Sequence, residues 1–171
     1  MLLFVYPFVR IECRGSLKLM KMFRSLGALA VVFILISAGQ AAVRTWDGGG
    51  ADANWTTAAN WVGDVAPVAN DDLVFPATSA QFATNNNFTL LTNFRSITVE
   101  GGSYTIGGSL FRLSAGLTVQ SGTLTVNTAI TLNGAQVFSS GTAGTITLLG
   151  LSVGSSQLTI EGDGITGIGL I

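Results

Sequence analysis

Leu117-Thr-Val-Gln-Ser-Gly-Thr-Leu-Thr-Val-Asn-Thr-Ala-Ile-Thr-Leu132 holds three copies of one pattern: an aliphatic residue, a threonine, a second aliphatic residue, at 117–119, 124–126 and 130–132. Side chains alternate faces along a strand, so each copy turns its two apolar residues to one wall and its threonine to the other. Outward from this stretch the pattern recurs as Ile97-Thr-Val99, Tyr104-Thr-Ile106, Ile146-Thr-Leu148 and Leu158-Thr-Ile160. Glycine or asparagine usually follows, as at Gly101, Gly107, Gly122, Asn127, Asn133 and Gly162. Frequent β-branched residues and recurrent glycines disfavour helix and favour short strands joined by turns.

The spacing says how the strands are arranged. Ile97 to Leu117 and Tyr104 to Leu124 are both 20 residues. A period near that value predicts a solenoid: an all-β, right-handed parallel β-helix in which each coil hydrogen-bonds to the next and apolar residues line the interior. Glycine and asparagine at the corners permit the positive φ that sharp bends require. The later separations, 16 residues from Ile130 to Ile146 and 12 from Ile146 to Leu158, depart from the period. They keep an antiparallel β-sandwich as the alternative architecture.

The chain has 171 residues, of which 48% are hydrophobic and 10% charged, with a mean hydropathy of +0.55. Much of that hydropathy sits at the N-terminus. Lys21 and Arg24 precede an apolar run at 26–38, and the small residues Gly39, Ala41 and Ala42 follow. Positive, apolar, then small is the order of a secretory signal peptide. The run holds 13 residues, short of the roughly 20 needed to cross a bilayer core. Residues 1–42 are therefore read as a signal-peptide helix cleaved after Ala41 or Ala42, with Met20 or Met22 as a more ordinary start than Met1. The protein is expected to be exported, to the periplasm, the cell surface or the medium, and to touch membrane only through an uncleaved signal.

Beyond Ala42 there are three basic residues (Arg44, Arg95, Arg112) against eight acidic ones, and no lysine. An acidic body with scattered arginines offers no stripe for phosphates, so nucleic acid is excluded as a partner. The chain has no histidine and its single cysteine is Cys13. Triads, Cys/His dyads and the usual zinc sites are thereby excluded by inventory. Residues 43–94 hold all three tryptophans and are read as an N-terminal Trp/Asn-rich cap segment, and 95–171 as the solenoid repeats.

Thr45-Trp-Asp-Gly-Gly-Gly50, Asn54-Trp55, Ala59-Asn-Trp61, Pro67 and Asp71-Asp-Leu-Val-Phe75 together resemble the start of bacterial surface proteins that carry autotransporter-associated β-strand repeats. The resemblance runs on through the Thr/Gly-rich coils to about Gly164. It implies a right-handed parallel β-helix of passenger type, in an exported adhesin or a large surface protein. This chain is short for that family, shows no C-terminal membrane barrel and ends within a repeat, which suggests a fragment of something longer.

Two polar readings attach to residues 43–94. Trp46, Trp55 and Trp61 either close the core or form a platform on which sugar rings stack. Asp47, Asp52, Asn54, Asn60, Asp64, Asp71 and Asp72 are oxygen donors gathered in one Gly-rich stretch and could hold calcium, though their spacing fits no EF-hand; Asx turns explain the same residues without a metal. No residue is assigned a catalytic role. Asp71 and Asp72 are adjacent, so in a strand they would face opposite ways and not share a bond to be cleaved. Phe75, Phe82, Phe88, Phe94, Phe111 and Phe138 are read as core filling. The leading function is an exported structural or adhesin-like module without catalytic activity, contacting polysaccharide or cell-surface components; the alternative is a carbohydrate-binding module or a remnant of a polysaccharide-degrading β-helix enzyme.

Overall fold

The computed structural model describes residues 41–171, so the signal-peptide reading of the preceding segment lies outside the described residues. Among the described residues nine strands form one sheet system: β1 Val43–Thr45, β2 Asp72–Phe75, β3 Ala83–Asn86, β4 Thr92–Val99, β5 Ser103–Gly108, β6 Phe111–Leu132, β7 Gln136–Ser152, β8 Leu158–Glu161 and β9 Ile165–Leu170. Every ladder between them is parallel. The protein is a β-solenoid of about five turns. The antiparallel sandwich is thereby overturned; among the described residues the antiparallel pairing is the isolated bridge between Trp46 and Trp61. Among the described residues one 3-10 turn, Ala58–Asn60, interrupts the β structure.

Three walls build each coil. On the first wall Arg44, Leu73, Ile97, Leu117, Phe138 and Ile160 lie one above another. On the second, Thr84, Ile106, Val126, Leu148 and Ile168 do the same, beside the column Tyr104, Leu124, Ile146, Ile165. On the third, Phe94 stacks on Leu113, and Ile130 on Leu151. The 20-residue spacing is thus the true coil length where it was read. The 16- and 12-residue spacings compared triplets on different walls: Ile146-Thr-Leu148 sits on Leu124-Thr-Val126, whereas Ile130 sits under Leu151. The long strands turn the corners within their own length, with register shifts at Arg95 and near Gln120 and Asn127 that leave the bend residues unpaired.

The coils also begin earlier than position 95. β1, β2 and β3 already pair in parallel with the strands above them, so much of the segment read as a cap is solenoid. What sets it apart is the long excursion from Trp46 to Asp71 between β1 and β2.

The interior is a continuous column of apolar side chains, from Trp46, Trp55 and Trp61 through Phe75, Phe94 and Phe111 to Leu124, Phe138 and Leu151. Phe82 departs from the core reading: it is 36% exposed and packs its ring on Tyr104 from outside, at 4.9 Å between centroids. Close stacking leaves no room for a Cβ at some corners. At Gly122, with φ +78°, a Cβ would lie 2.0 Å from the carbonyl oxygen of Gly102.

Candidate binding surface

All three tryptophans are fully buried. Trp46 donates its indole N–H to the Gln81 carbonyl at 2.8 Å, and Trp61 donates to the Trp55 carbonyl at 2.8 Å. Trp55 is ringed by Trp61, Phe75, Phe94 and Phe111, with centroids 5.4 to 6.4 Å away. Burying an aromatic side chain removes roughly 150–250 Å² from water, worth about 4–6 kcal/mol at 25 cal/mol per Å². That gain is larger than any these rings would find on the surface. No indole face remains for a sugar, and the glycan platform at Trp46, Trp55 and Trp61 is corrected to a core cluster.

The oxygen donors of the same segment do not converge. Asp47 accepts the Gly49 amide at 3.0 Å in a local turn. Asp52 accepts from the Asn54 backbone, the Asn54 amide, Thr57 and Asn60. These donors, the Asn54 backbone N–H foremost, hold its carboxyl below the usual range. Asn54 accepts from Asn85 at 2.7 Å, joining two rungs of the second wall. Asn60, fully buried, donates to the carbonyls of Asp52 and Asn54 and accepts from the Gly50 amide. The turn reading accounts for each of these residues, and a shared calcium position at Asp47, Asp52, Asn54, Asp71 and Asp72 finds no common centre; among the described residues no three acidic groups gather.

Asp71 and Asp72 carry more structure than a solvated loop would. Both are buried, and each has its own arginine: Arg44 Nε donates to Asp71 at 3.1 Å, and Arg95 Nε donates to both oxygens of Asp72 at 3.0 Å. Ser96 adds a hydroxyl donor to Asp72. Burial by itself would raise the Asp71 carboxyl, but donors from Val68, Ala42 and Arg44 outweigh it and hold the group below its ordinary value. The pair therefore ties β1 to β2 and β2 to β4 through separate charge-assisted bonds.

The outer side of the second wall is the surface that the repeats build. Tyr104, Ile106, Leu124, Val126, Ile146 and Leu148 point inward and are buried. Between them Thr105, Thr125, Thr147 and Thr166 form one outward column, and Ser103, Thr123 and Thr145 a second. Neighbouring coils stand about 4.8 Å apart and alternate residues along a strand about 6.6 Å apart. The result is an uncharged lattice of hydroxyls and methyls. Adjacent hydroxyls are close enough to interact where Thr147 meets Thr166, at 3.3 Å. Sequence reasoning found the threonines but not their two-column register, which follows only once coil lengths are known.

At one corner, residues 140–145 and 162–164 line an open cleft of about 390 Å³. Asp163 is its single ionisable side chain, and the Gly164 amide donates to Ser140 there at 3.0 Å. Gly162-Asp-Gly164 makes this corner just before β9: Gly162 has φ +91°, and Gly164 is packed against the Gly144 carbonyl with no room for a Cβ. No family model, curated protein or solved structure matches the chain.

Proposed function

We propose that this is an exported, non-catalytic structural or adhesin-like module, which lays the hydroxyl lattice of its second wall against a polysaccharide or another cell-surface polymer. The observation that carries the reading is the in-register column Thr105–Thr125–Thr147–Thr166 with its partner column Ser103–Thr123–Thr145, free of charge across four coils. A repeating surface recognises a repeating ligand: each hydroxyl offers a donor and an acceptor, each methyl a small apolar contact, and no single residue is essential. The resemblance of Thr45 to Phe75 to autotransporter-associated repeat proteins supports an exported surface role, as does the charge and hydropathy order of residues 21–42.

Retention on a panel of insoluble polysaccharides and bacterial cell walls tests the proposal. The wild-type protein should be retained on at least one, and Thr125→Val with Thr147→Val should reduce that retention several-fold with the thermal midpoint nearly unchanged. Hydrolysis of any panel member by the purified wild-type protein would overturn it in favour of an enzyme.

A further inference from the structure

Ala42 is held at both of its backbone groups. Its N–H donates to Asp71 Oδ1 at 2.9 Å, and its carbonyl accepts the Asp72 amide at 2.8 Å. Asp71 Oδ2 is already occupied, by Arg44 Nε at 3.1 Å and the Val68 amide at 3.0 Å. Among the described residues Oδ1 accepts from Ala42 alone. The Asp71 side chain is 3% exposed, while Arg44 is partly in solvent. One oxygen of a buried carboxylate is thus aimed at the backbone nitrogen of a residue next to the expected signal-cleavage point.

We propose that the Ala41–Ala42 peptide bond is the processing site, and that the α-ammonium released on Ala42 forms an ion pair with Asp71. The inference rests on residues 26–38 acting as a secretion signal. A signal peptidase adds water across the bond, leaving a carboxylate on Ala41 and an ammonium on Ala42. A neutral N–H donor is replaced by a positively charged one at the same place, and a charge-assisted hydrogen bond to a carboxylate is about twice as strong as a neutral one. Cleavage one residue later would remove Ala42, with both its bonds, and leave Oδ1 of a buried carboxylate without its donor. The structure therefore separates two cleavage points that the small residues Gly39, Ala41 and Ala42 leave equivalent. It also gives Asp71 a task that neither turn formation nor metal binding explains: locking β1 onto β2 after export.

The composition makes the test clean, because no lysine lies beyond Ala42 and the α-amine is then the one primary amine of the processed chain. The full chain is expressed in a bacterial host, the exported protein is collected, and its N-terminus is read by mass spectrometry. Its amine is then titrated with an acylating reagent against pH, in wild type and in Asp71→Asn. A carboxylate within hydrogen-bond reach favours the protonated amine, so acylation at neutral pH should run about tenfold slower than in Asp71→Asn. Should that variant not fold, the pH midpoint of labelling in the wild type decides, and it should lie above the ordinary α-amino range of about 7.7–8.0. Exported material beginning at Val43, or an amine that labels with an ordinary midpoint and ignores Asp71, overturns the inference and leaves the export reading standing. Exported material still carrying residues 26–38 overturns both.

Discussion

Trp46 and Trp61 pair across an antiparallel bridge, with rings edge to face at 5.2 Å between centroids and 88° between planes. This contact ties the start of the excursion that follows β1 to its middle and seats both rings against Phe75. Trp61→Ala should therefore cost about 3–5 kcal/mol, the range for emptying a buried aromatic site. Urea unfolding followed by circular dichroism measures it. The indole fluorescence of the wild type should be blue-shifted and indifferent to added glycans, because no ring face meets solvent; quenching by a glycan would restore the sugar-platform reading.

Stacking also fixes which glycines can be replaced. A Cβ at Gly122 would lie 2.0 Å from the Gly102 carbonyl oxygen, whereas one at Gly134 meets nothing within 4 Å, and both residues have positive φ, +78° and +105°. Backbone strain is common to the two, at roughly 1–2 kcal/mol for a residue other than glycine. Overpacking adds about 1–3 kcal/mol at Gly122 alone. Gly122→Ala should lower the thermal midpoint clearly more than Gly134→Ala; equal shifts would mean that neighbouring coils are not in contact at that corner.

How much of this was legible in the sequence differs from wall to wall. Leu117 over Ile97 and Leu124 over Tyr104 could be read directly, since identical triplets recur at one coil length on one wall. Ile130 misled because its upper neighbour is Leu151 in a Leu-Ser-Val run, where serine stands in the threonine's place. The tryptophans were ambiguous for a chemical reason: an indole is equally suited to a core and to a sugar face, and only the path of the chain from Trp46 to Asp71 decides. The partners of Asp71 and Asp72 were hidden by distance, Arg44 lying 27 residues before one and Arg95 lying 23 residues after the other. Such pairs belong to the coil geometry, and no local spacing announces them.

The pairing of Asp71 has a pH signature. Its carboxyl titrates below the ordinary value in the folded protein, so the folded state holds fewer protons than the unfolded chain across the interval between the two. Stability from this group is fully present above the unfolded value of about 3.9, declines as pH falls through that interval and is gone below the folded value. Asp71→Asn should flatten this acid limb and cost about 3 kcal/mol at pH 7, as expected when a buried pair loses one partner. Denaturation midpoints measured from pH 7 down to pH 2 check both; a wild type and variant with parallel profiles would show that Asp71 is solvated after all.

Thr84 inverts the rule that its neighbours obey. It stands in the inward column of the second wall beneath Ile106, Val126 and Leu148, is 5% exposed, and its hydroxyl has no hydrogen-bond partner among the described residues. The threonines at 105, 125 and 147 face outward, where water can satisfy the same group. A buried hydroxyl without a partner costs roughly 1–3 kcal/mol, and valine has nearly the same shape with a methyl in place of the oxygen. Thr84→Val should accordingly raise stability by about 1 kcal/mol, while Thr125→Val on the outer column should change it by less than roughly 0.5 kcal/mol. Urea midpoints of the two single variants decide the matter. If Thr84→Val destabilises, the hydroxyl has a partner inside the coil, and the interior of the first turns is wetter than the column of aliphatic side chains above it implies.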